Sequence, residues 1–256
     1  MRTMSRKHLS RIGLILLSFT VFLLLWQGVV WVGGYPTFIL PGPEAVLERL
    51  TSMLVSGVLW RHVQVTLKEI LAGLALGTVV ATLVGYLLAH SPVAERVLAP
   101  YIVASQSVPT VAIAPLLVIW FGTGLLSKIL VCALIVFFPI LVNTVVGVRS
   151  VGRDLRDLMR TLRANRWQMV WMLEVPAALP TLLGGLKVGA TLAVIGAVVG
   201  EFVASDRGVG YLLKQGQQLY DTPLVFVGIM TLVVMAQSLY GIVALMERAL
   251  LQWQKE

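Results

Sequence analysis

Charged residues and cysteines are both scarce in this chain of 256 residues. Only 12% of the residues are charged and 58% are hydrophobic, whereas a soluble domain has roughly 25% charged residues. No soluble fold can bury that much apolar surface, so the composition predicts an all-α polytopic membrane protein. The single cysteine, Cys132, lies within an apolar run, which excludes an intrachain disulfide and a cysteine-based metal cluster.

The sequence also lacks the motifs of catalysis. It has no G-x-x-x-x-G-K-[ST] loop to hold nucleotide phosphates, and His8, His62 and His90 lie at segment ends or in loops. We therefore expect no catalytic residue, cofactor or metal ion, and no enzymatic activity. The net charge of +8 is compatible with nucleic-acid binding. However, the basic residues lie at the ends of apolar runs, where they set membrane topology, so nucleic acid is not an expected partner.

Six apolar segments are predicted to span the bilayer, since a spanning helix needs about 20 apolar residues. They are 12–32, 63–89, 97–121, 129–148, 179–204 and 223–246. Residues 1–11 and 247–256 are tails, and residues 149–178 form a polar loop between the fourth and fifth spans. With the N-terminus inside, most basic residues fall on the inner side. This distribution predicts that both termini and the polar loop are cytosolic.

The second predicted span carries small residues at four-residue steps, namely Gly73, Gly77, Ala81 and Gly85. Such a face lets another helix approach closely, either within the chain or across a dimer contact. Glu69 lies near the start of this span, where a long side chain can extend to the membrane interface. Because few other fixed charges lie in the spans, we expect no strong ion site.

The polar loop contains an amphipathic helix. At 100° per residue, one arc holds Arg149, Arg153, Arg156, Arg160 and Arg163. A separate arc holds Leu155, Leu158, Met159 and Leu162. Asn165 interrupts the helical pattern, which resumes over 166–173. Three roles remain open for this helix: anchoring to anionic lipid, docking in the groove of a cytosolic partner, and gating of a substrate.

The loop resembles the signature of the membrane subunits of bacterial ABC importers, which reads E-A-A, three residues, G, nine residues, I-x-L-P. Asp157-Leu158-Met159 takes the E-A-A position, Arg163 takes that of the glycine, and Leu173, Val175 and Pro176 follow. The stretches PAALP (176–180), GGLKVGATLAVIGAVVGEF (184–202) and SVPTVAIAPLLVIWFGTG (107–124) resemble one branch of this family. That branch includes permeases for nitrate, sulfonates and taurine, and also for thiamin pyrimidine precursors and riboflavin.

The resemblance implies a homodimeric pore subunit in the bacterial inner membrane, paired with two cytosolic ATP-binding subunits and an extracytoplasmic solute-binding protein. The ATP-binding subunits are then expected to contact Asp157, Leu158, Met159, Leu162, Arg163, Ala164 and Trp167. Arg163 departs from the family's glycine. We expect the first helix either to continue through Arg163 or to turn at Asn165, because asparagine tolerates a left-handed backbone.

The transported solute is expected to be a heteroaromatic vitamin or precursor of the riboflavin or thiamin pyrimidine type. The stretch FFPILVNTVVGVRSV (137–151) and the largely uncharged spans favour this group. Import of sulfonate, taurine or nitrate is the alternative substrate class, and a secondary transporter is the alternative class of protein. The translocation-path candidates are Ser105, Gln106, Asn143, Glu201 and Gln237. A hydrogen bond between helices is the competing explanation for each candidate. Glu201 is also a candidate gate, a candidate contact of the binding protein, or an interfacial carboxylate at a helix end.

Overall fold

The computed structural model describes the backbone of residues 2–106 and 108–252. It describes their side chains except at 2–12, 15, 16, 92, 103, 105 and 106. Over this part the chain is built from helices and contains no strand. Helices α1 to α6 are Arg2–Gly33, Pro43–Val55, Val58–His90, Pro92–Gln106, Thr110–Phe121 and Leu125–Arg149. Helices α7 to α11 are Arg153–Thr161, Arg166–Met169, Val175–Val203, Val209–Gln218 and Thr222–Leu250.

Four helical segments are long and apolar enough to cross a bilayer. They are α3, α6, the segment Arg166–Val203, and α11. In the segment Arg166–Val203, a π-helical turn at Val170–Glu174 joins α8 to α9 without interruption, and we call this segment the helical rod. Leu17–Gly33 and Thr110–Phe121 are shorter apolar helices within the first and third predicted spans. The chain is thus a multi-pass helical membrane protein, while the count of six spans stays a prediction.

The third predicted span consists of two helices rather than one. α4 ends at Gln106 and α5 begins at Thr110, with Pro109 in an extended conformation at the N-cap position. Proline has no amide hydrogen, and its ring clashes with the preceding helical turn, so a helix cannot run through this position without distortion. α5 has only 12 residues, which is short of the roughly 20 needed to span a bilayer.

The connection between the fifth and sixth predicted spans, residues 205–222, contains the helix α10. The chain divides into two compact units, Met1–Trp60 with Leu212–Met230 and Arg61–Tyr211 with Thr231–Glu256. In the first unit, the indole of Trp26 stacks on Phe226 with ring centroids 5.3 Å apart. The Trp26 Nε1–H donates to the carbonyl oxygen of Pro41 at 3.1 Å. These contacts hold the segment before α2 against α1 and the start of α11.

The core of the second unit is formed by side chains of α3, α6, α9 and α11, such as Ile70, Cys132, Ala193 and Leu239. The small face of α3 packs against α6: a Cβ added at Gly77 would lie 2.8 Å from the carbonyl oxygen of Ala133. This supports the interpretation that the small residues serve packing within the chain. Close approach matters here because helices in lipid associate through van der Waals contact and hydrogen bonds.

Candidate functional site

The polar loop presents an uncovered apolar stripe. α7 has no buried residue, and Leu155, Leu158 and Leu162 are 51%, 54% and 68% exposed. Trp167 of α8 is 72% exposed. An apolar stripe on a helix is stable only when something covers it, and contiguous exposed apolar patches mark sites of protein or membrane contact. Of the seven predicted coupling residues, five are exposed and two are half-buried.

α7 ends in a left-handed turn at Arg163, whose φ is 56°. The Arg163 N–H donates to the carbonyl of Arg160 at 2.9 Å, and the Ala164 N–H donates to that of Met159 at 3.0 Å. These two bonds form a Schellman motif, in which glycine is the usual residue at the left-handed position. Both sequence-based alternatives are therefore wrong: the helix does not continue through Arg163, and the left-handed residue is not Asn165.

Asn165 instead begins α8, with an extended backbone at φ −74° and ψ 170°. Its Oδ1 accepts from the Gln168 N–H at 2.8 Å, while the Gln168 Oε1 accepts from the Asn165 N–H at 2.8 Å. This reciprocal pair is a capping box, which satisfies two amides that a helix start otherwise leaves without partners. The Schellman motif and the capping box together fix the path of the chain between α7 and α8.

A cavity of about 470 Å³ lies beside the start of α5 and the middle of α6. Its wall is mostly apolar and includes Ile113 and Phe138, with the hydroxyl of Thr110 and the amide of Asn143 as polar groups. The Asn143 Nδ2 donates to the carbonyl oxygen of Pro139 at 2.8 Å. Small-molecule sites in proteins have this character, a largely apolar wall with a few placed polar groups.

Among the predicted path residues, Asn143 lies on the wall of this cavity. Gln237 is exposed on α11, and Glu201 is 0% exposed within the second unit. The side chains of Ser105 and Gln106 lie outside the described residues. The described path candidates are therefore spread over different surroundings and do not form one polar surface.

Glu201 is the centre of a buried polar cluster near the end of α9. We define the Glu201 cluster as Thr66, Glu69, Lys128, Glu201, Ser205 and the segment 208–211. The Thr66 hydroxyl donates to Glu201 Oε1 at 2.6 Å and accepts from the Val209 N–H at 2.8 Å. The backbone N–H groups of Gly210 and Tyr211 donate to Glu201 Oε2, the second at 3.3 Å. Both carboxylate oxygens of Glu201 thus accept hydrogen bonds from donors of the protein itself.

The Glu201 cluster also holds two charges that sequence reasoning placed elsewhere. Glu69 does not extend to the interface as expected: it is 0% exposed, and its Oε1 lies 3.4 Å from the Lys128 Nζ. Lys128 Nζ donates to the Ser205 Oγ at 2.7 Å. The expected interfacial position of Glu69 is therefore wrong, and two carboxylates and one ammonium lie together in this region.

A second buried glutamate, Glu174, lies in the π-helical turn at the other end of α9. We define the Glu174 cluster as Tyr86, His90, Arg156 and Glu174. Glu174 accepts from the Tyr86 hydroxyl at 2.9 Å, and its other oxygen lies 2.9 Å from the His90 Nε2. Arg156 lies 3.9 Å from the carboxylate and donates to the carbonyl of Val148 at 2.9 Å. A cavity of about 560 Å³ adjoins this cluster and extends to Arg160 and Arg166.

A further ion pair lies near the end of α6. The Arg149 guanidinium donates to both carboxylate oxygens of Glu95 at 2.6 Å. This bidentate bond favours the charged carboxylate and holds the pKa of Glu95 below its ordinary value. Lys187 of α9, by contrast, pairs with Glu247 of α11 at 2.7 Å within the second unit.

Sequence reasoning missed Glu69, Lys128 and Glu174 as members of buried clusters. A usable signal was present: Glu69, Lys128 and Glu201 all lie at span ends predicted on the same side of the membrane. Opposite charges at one depth of a bilayer are expected to pair, because an isolated charge there is costly. Which faces of three separate helices meet, however, does not follow from sequence spacing alone.

A multi-pass helical fold with an exposed amphipathic loop between apolar helices has the architecture of the membrane subunit of a transporter. The chain belongs to the family described as "Binding-protein-dependent transport system inner membrane component", whose model matches residues 73–252. This confirms the predicted resemblance to ABC importer permeases and the predicted location in the inner membrane.

Relatives of this chain carry more specific descriptions. It is 46% identical over 240 residues to the riboflavin transport system permease protein of Chloroflexus aurantiacus, covering 93% of this chain and 90% of that protein. It is 36% identical over 240 residues to the formylaminopyrimidine transport permease protein of Halalkalibacterium halodurans, covering 94% and 95%. It is 31% identical over 244 residues to the taurine transport system permease protein of Escherichia coli, covering 93% and 89%.

A solved structure of an amino acid ABC transporter is similar in fold, with a TM-score of 0.61. The match covers 78% of this chain and 97% of that one, and the two are 16% identical. At that identity the likeness concerns the fold alone. The family and the relatives thus confirm the prediction that this chain is the permease subunit of an ABC importer. The family is one of membrane transport.

Proposed function

We propose that this chain is the pore-forming subunit of an ATP-driven importer for riboflavin or a closely related flat heteroaromatic solute. The observation that carries the proposal is the 46% identity, over nearly the whole of both chains, to a riboflavin transport permease. The formylaminopyrimidine permease, at 36% identity, also has a heteroaromatic solute in its name. The taurine permease is more distant, at 31% identity.

The cavity between α5 and α6 supports a heteroaromatic solute over an anion. Its lining includes Phe138 for contact with a ring face and Thr110 and Asn143 for polar groups at a ring edge. No cationic side chain is among its described lining residues. A nitrate or sulfonate desolvated at such a wall would lose its hydration without gaining a charged partner. We assign this wall to the translocation path, with Asn143 as its polar residue.

In this proposal the chain crosses the membrane six times, with both termini and the polar loop in the cytosol. The spans are those predicted, 12–32, 63–89, 97–121, 129–148, 179–204 and 223–246, and the third consists of the α4–α5 pair. The excess of basic residues on the inner side supports this orientation. The Glu201 cluster then lies toward the outer face, and the Glu174 cluster lies toward the cytosol.

Two copies of the chain form the pore and pair with two ATP-binding subunits. The docking surface is centred on the exposed apolar stripe of the polar loop, which includes Leu158, Leu162 and Trp167. Around the stripe, the surface adds Asp157, Met159, Arg163 and Ala164, of which Met159 and Ala164 are half-buried. An amphipathic helix seats in a partner's groove through its apolar face. A solute-binding protein delivers the solute at the outer face, and ATP binding and hydrolysis in the partner subunits move the loop and the helical rod together.

The test is uptake by proteoliposomes containing this chain and its ATP-binding subunits, with the binding protein and labelled riboflavin outside and ATP inside. We expect ATP-dependent uptake that unlabelled riboflavin abolishes and excess taurine leaves unchanged. Leu158→Glu should uncouple ATPase activity from transport, whereas Asp154→Asn, an exposed change on the same helix, should not. Uptake of taurine in place of riboflavin would overturn the substrate, and uptake without ATP would indicate a secondary transporter.

A further inference from the structure

We propose that Glu69, Lys128 and Glu201 are positioning residues that carry the signal of binding-protein docking from the turn at 205–211 into the helical rod. The inference rests on the proposed function, since it requires a binding protein that docks at the outer face. The three side chains themselves contact neither solute nor nucleotide. They hold the backbone of the turn to the end of α9.

Residues 209–211 of the turn are held through their backbone. Glu201 receives the N–H groups of Gly210 and Tyr211, and Thr66 receives that of Val209. Successive backbone N–H groups aimed at one carboxylate form an anion-binding concavity. The conformation of the turn is therefore tied to the carboxyl group of Glu201.

Two glycines make this close approach possible. Gly208 has φ 111°, a conformation that favours glycine. A Cβ added at Gly210 would lie 2.7 Å from Glu201 Oε2, so any side chain there would push the turn away from the carboxylate. The backbone thus packs directly on the charged group, with no side chain between them.

The charges of the Glu201 cluster depend on one another. Neither oxygen of Glu69 accepts a hydrogen bond from the described residues, and the Lys128 Nζ at 3.4 Å is its ion-pair partner. Lys128 reaches the turn as well, through the Ser205 Oγ at 2.7 Å. Removing one partner of a buried pair leaves an uncompensated charge, whereas removing both is far milder. Lys128 and Glu69 should therefore act as a unit.

The helical rod connects the Glu201 cluster to the polar loop, which carries the proposed contact with the ATP-binding subunits. Glu201 lies near the C-terminal end of the rod, which runs unbroken from Arg166, next to the exposed stripe of the polar loop. Rigid secondary elements with packed side chains carry coupling between distant sites. A displacement of the turn is thus applied to the end of the same helix that starts at the proposed ATPase contact.

The experiment compares ATPase activity of the assembled transporter in liposomes with and without loaded binding protein. The variants are Glu201→Gln, Lys128→Met, Glu69→Gln and the double change Lys128→Met with Glu69→Gln. We expect Glu201→Gln and Lys128→Met to lower the ratio of stimulated to basal activity roughly 5-fold or more, with basal activity retained. The double change should recover much of the ratio. The matched control is Glu247→Gln on α11, which breaks the ion pair with Lys187 of α9 away from the turn.

The outcomes separate the inference from the proposed function. A wild-type complex that the binding protein fails to stimulate would contradict the proposed function itself. Stimulation in the wild type with an unchanged ratio in all cluster variants would overturn the inference and leave a structural role. For a variant that does not assemble, thiol labelling of Tyr211→Cys in membranes replaces the ATPase measurement. The cysteine of Tyr211→Cys should then be labelled faster when Glu201→Gln is also present than when it is not. Equal labelling rates would overturn the inference.

Discussion

The two buried glutamates of the helical rod are held in contrasting ways. Glu201 is surrounded by backbone N–H groups, a hydroxyl and a buried ion pair, with 0% exposure. Glu174 is held by side chains, the hydroxyl of Tyr86 and the ring of His90, and a cavity of about 560 Å³ lies beside it. Arg156 stays 3.9 Å away, and its buried Nε makes no hydrogen bond to the described residues.

The difference indicates that one end of the rod is fixed and the other is adjustable. Backbone donors cannot change partner without moving the chain, whereas side chains can exchange partners through rotamer changes. Arg156 has an unused donor and adjacent space, so it can approach Glu174 or leave it. In the proposed orientation the fixed end faces the binding protein, and the adjustable end faces the ATP-binding subunits.

The strongest way to break this contrast is to remove one cation from each cluster. Lys128→Met should lower the free energy of unfolding by about 3–5 kcal/mol, because it leaves buried carboxylates without a cation. Arg156→Met should cost about 1 kcal/mol or less, because the side chain is 32% exposed and its ion pair is long. Thermal unfolding in detergent measures both. Equal losses would contradict the contrast, and combining Lys128→Met with Glu69→Gln should recover stability.

Removing one hydroxyl from each cluster should give smaller losses of unfolding free energy. The loss should again be larger at the Glu201 cluster than at the Glu174 cluster. Thr66→Val should cost about 2 kcal/mol, because it removes a donor to Glu201 and the acceptor of the Val209 N–H together. Tyr86→Phe should cost about 1 kcal/mol, because it removes a single donor to Glu174. Denaturant titration of the purified protein measures the pair. A larger loss for Tyr86→Phe would reverse the assignment of the fixed end.

The turn after α7 provides a test at the adjustable end. Arg163→Gly should raise the free energy of unfolding by about 1 kcal/mol, because a non-glycine residue at φ 56° is strained. The matched control is Arg160→Gly inside α7, which should lower it by a similar amount through loss of helix propensity. Equal signs for the two changes, measured by thermal unfolding, would contradict the left-handed assignment.

The smallest expected effect is a pH dependence from the exposed pair of Glu95 and Arg149. Arg149 lowers the pKa of Glu95 in the folded state. The pair therefore contributes stability above the unfolded pKa of about 4.3 and loses that contribution as pH falls through the lower folded pKa. Glu95→Gln should make the unfolding temperature fall less steeply between neutral and acidic pH. An unchanged fall of the unfolding temperature would assign the acid dependence to other carboxylates.

The local features of the polar loop follow well from the sequence, and the long-range pairings of the chain do not. The amphipathic α7 forms where periodicity predicts a helix. Periodicity reports which residues share a face of one helix, but the Glu201 cluster requires the faces of three helices to meet. At Arg163 the local preference against a left-handed backbone is overridden, because the turn closes two hydrogen bonds that end α7 and place α8.

The wide turn at Val170–Glu174 sets the rotational phase between the polar loop and α9. An α-helix advances 100° per residue, so one residue more or less in a turn rotates everything beyond it by that angle. The π-helical turn accommodates an additional residue, and within it Trp171 is 62% exposed while Glu174 is 4% exposed. The π-helical turn thereby lets the side chains of the polar loop face outward while Glu174 faces inward. Deleting one residue from this turn would leave both flanking helices intact but rotate the docking face by about 100° relative to α9.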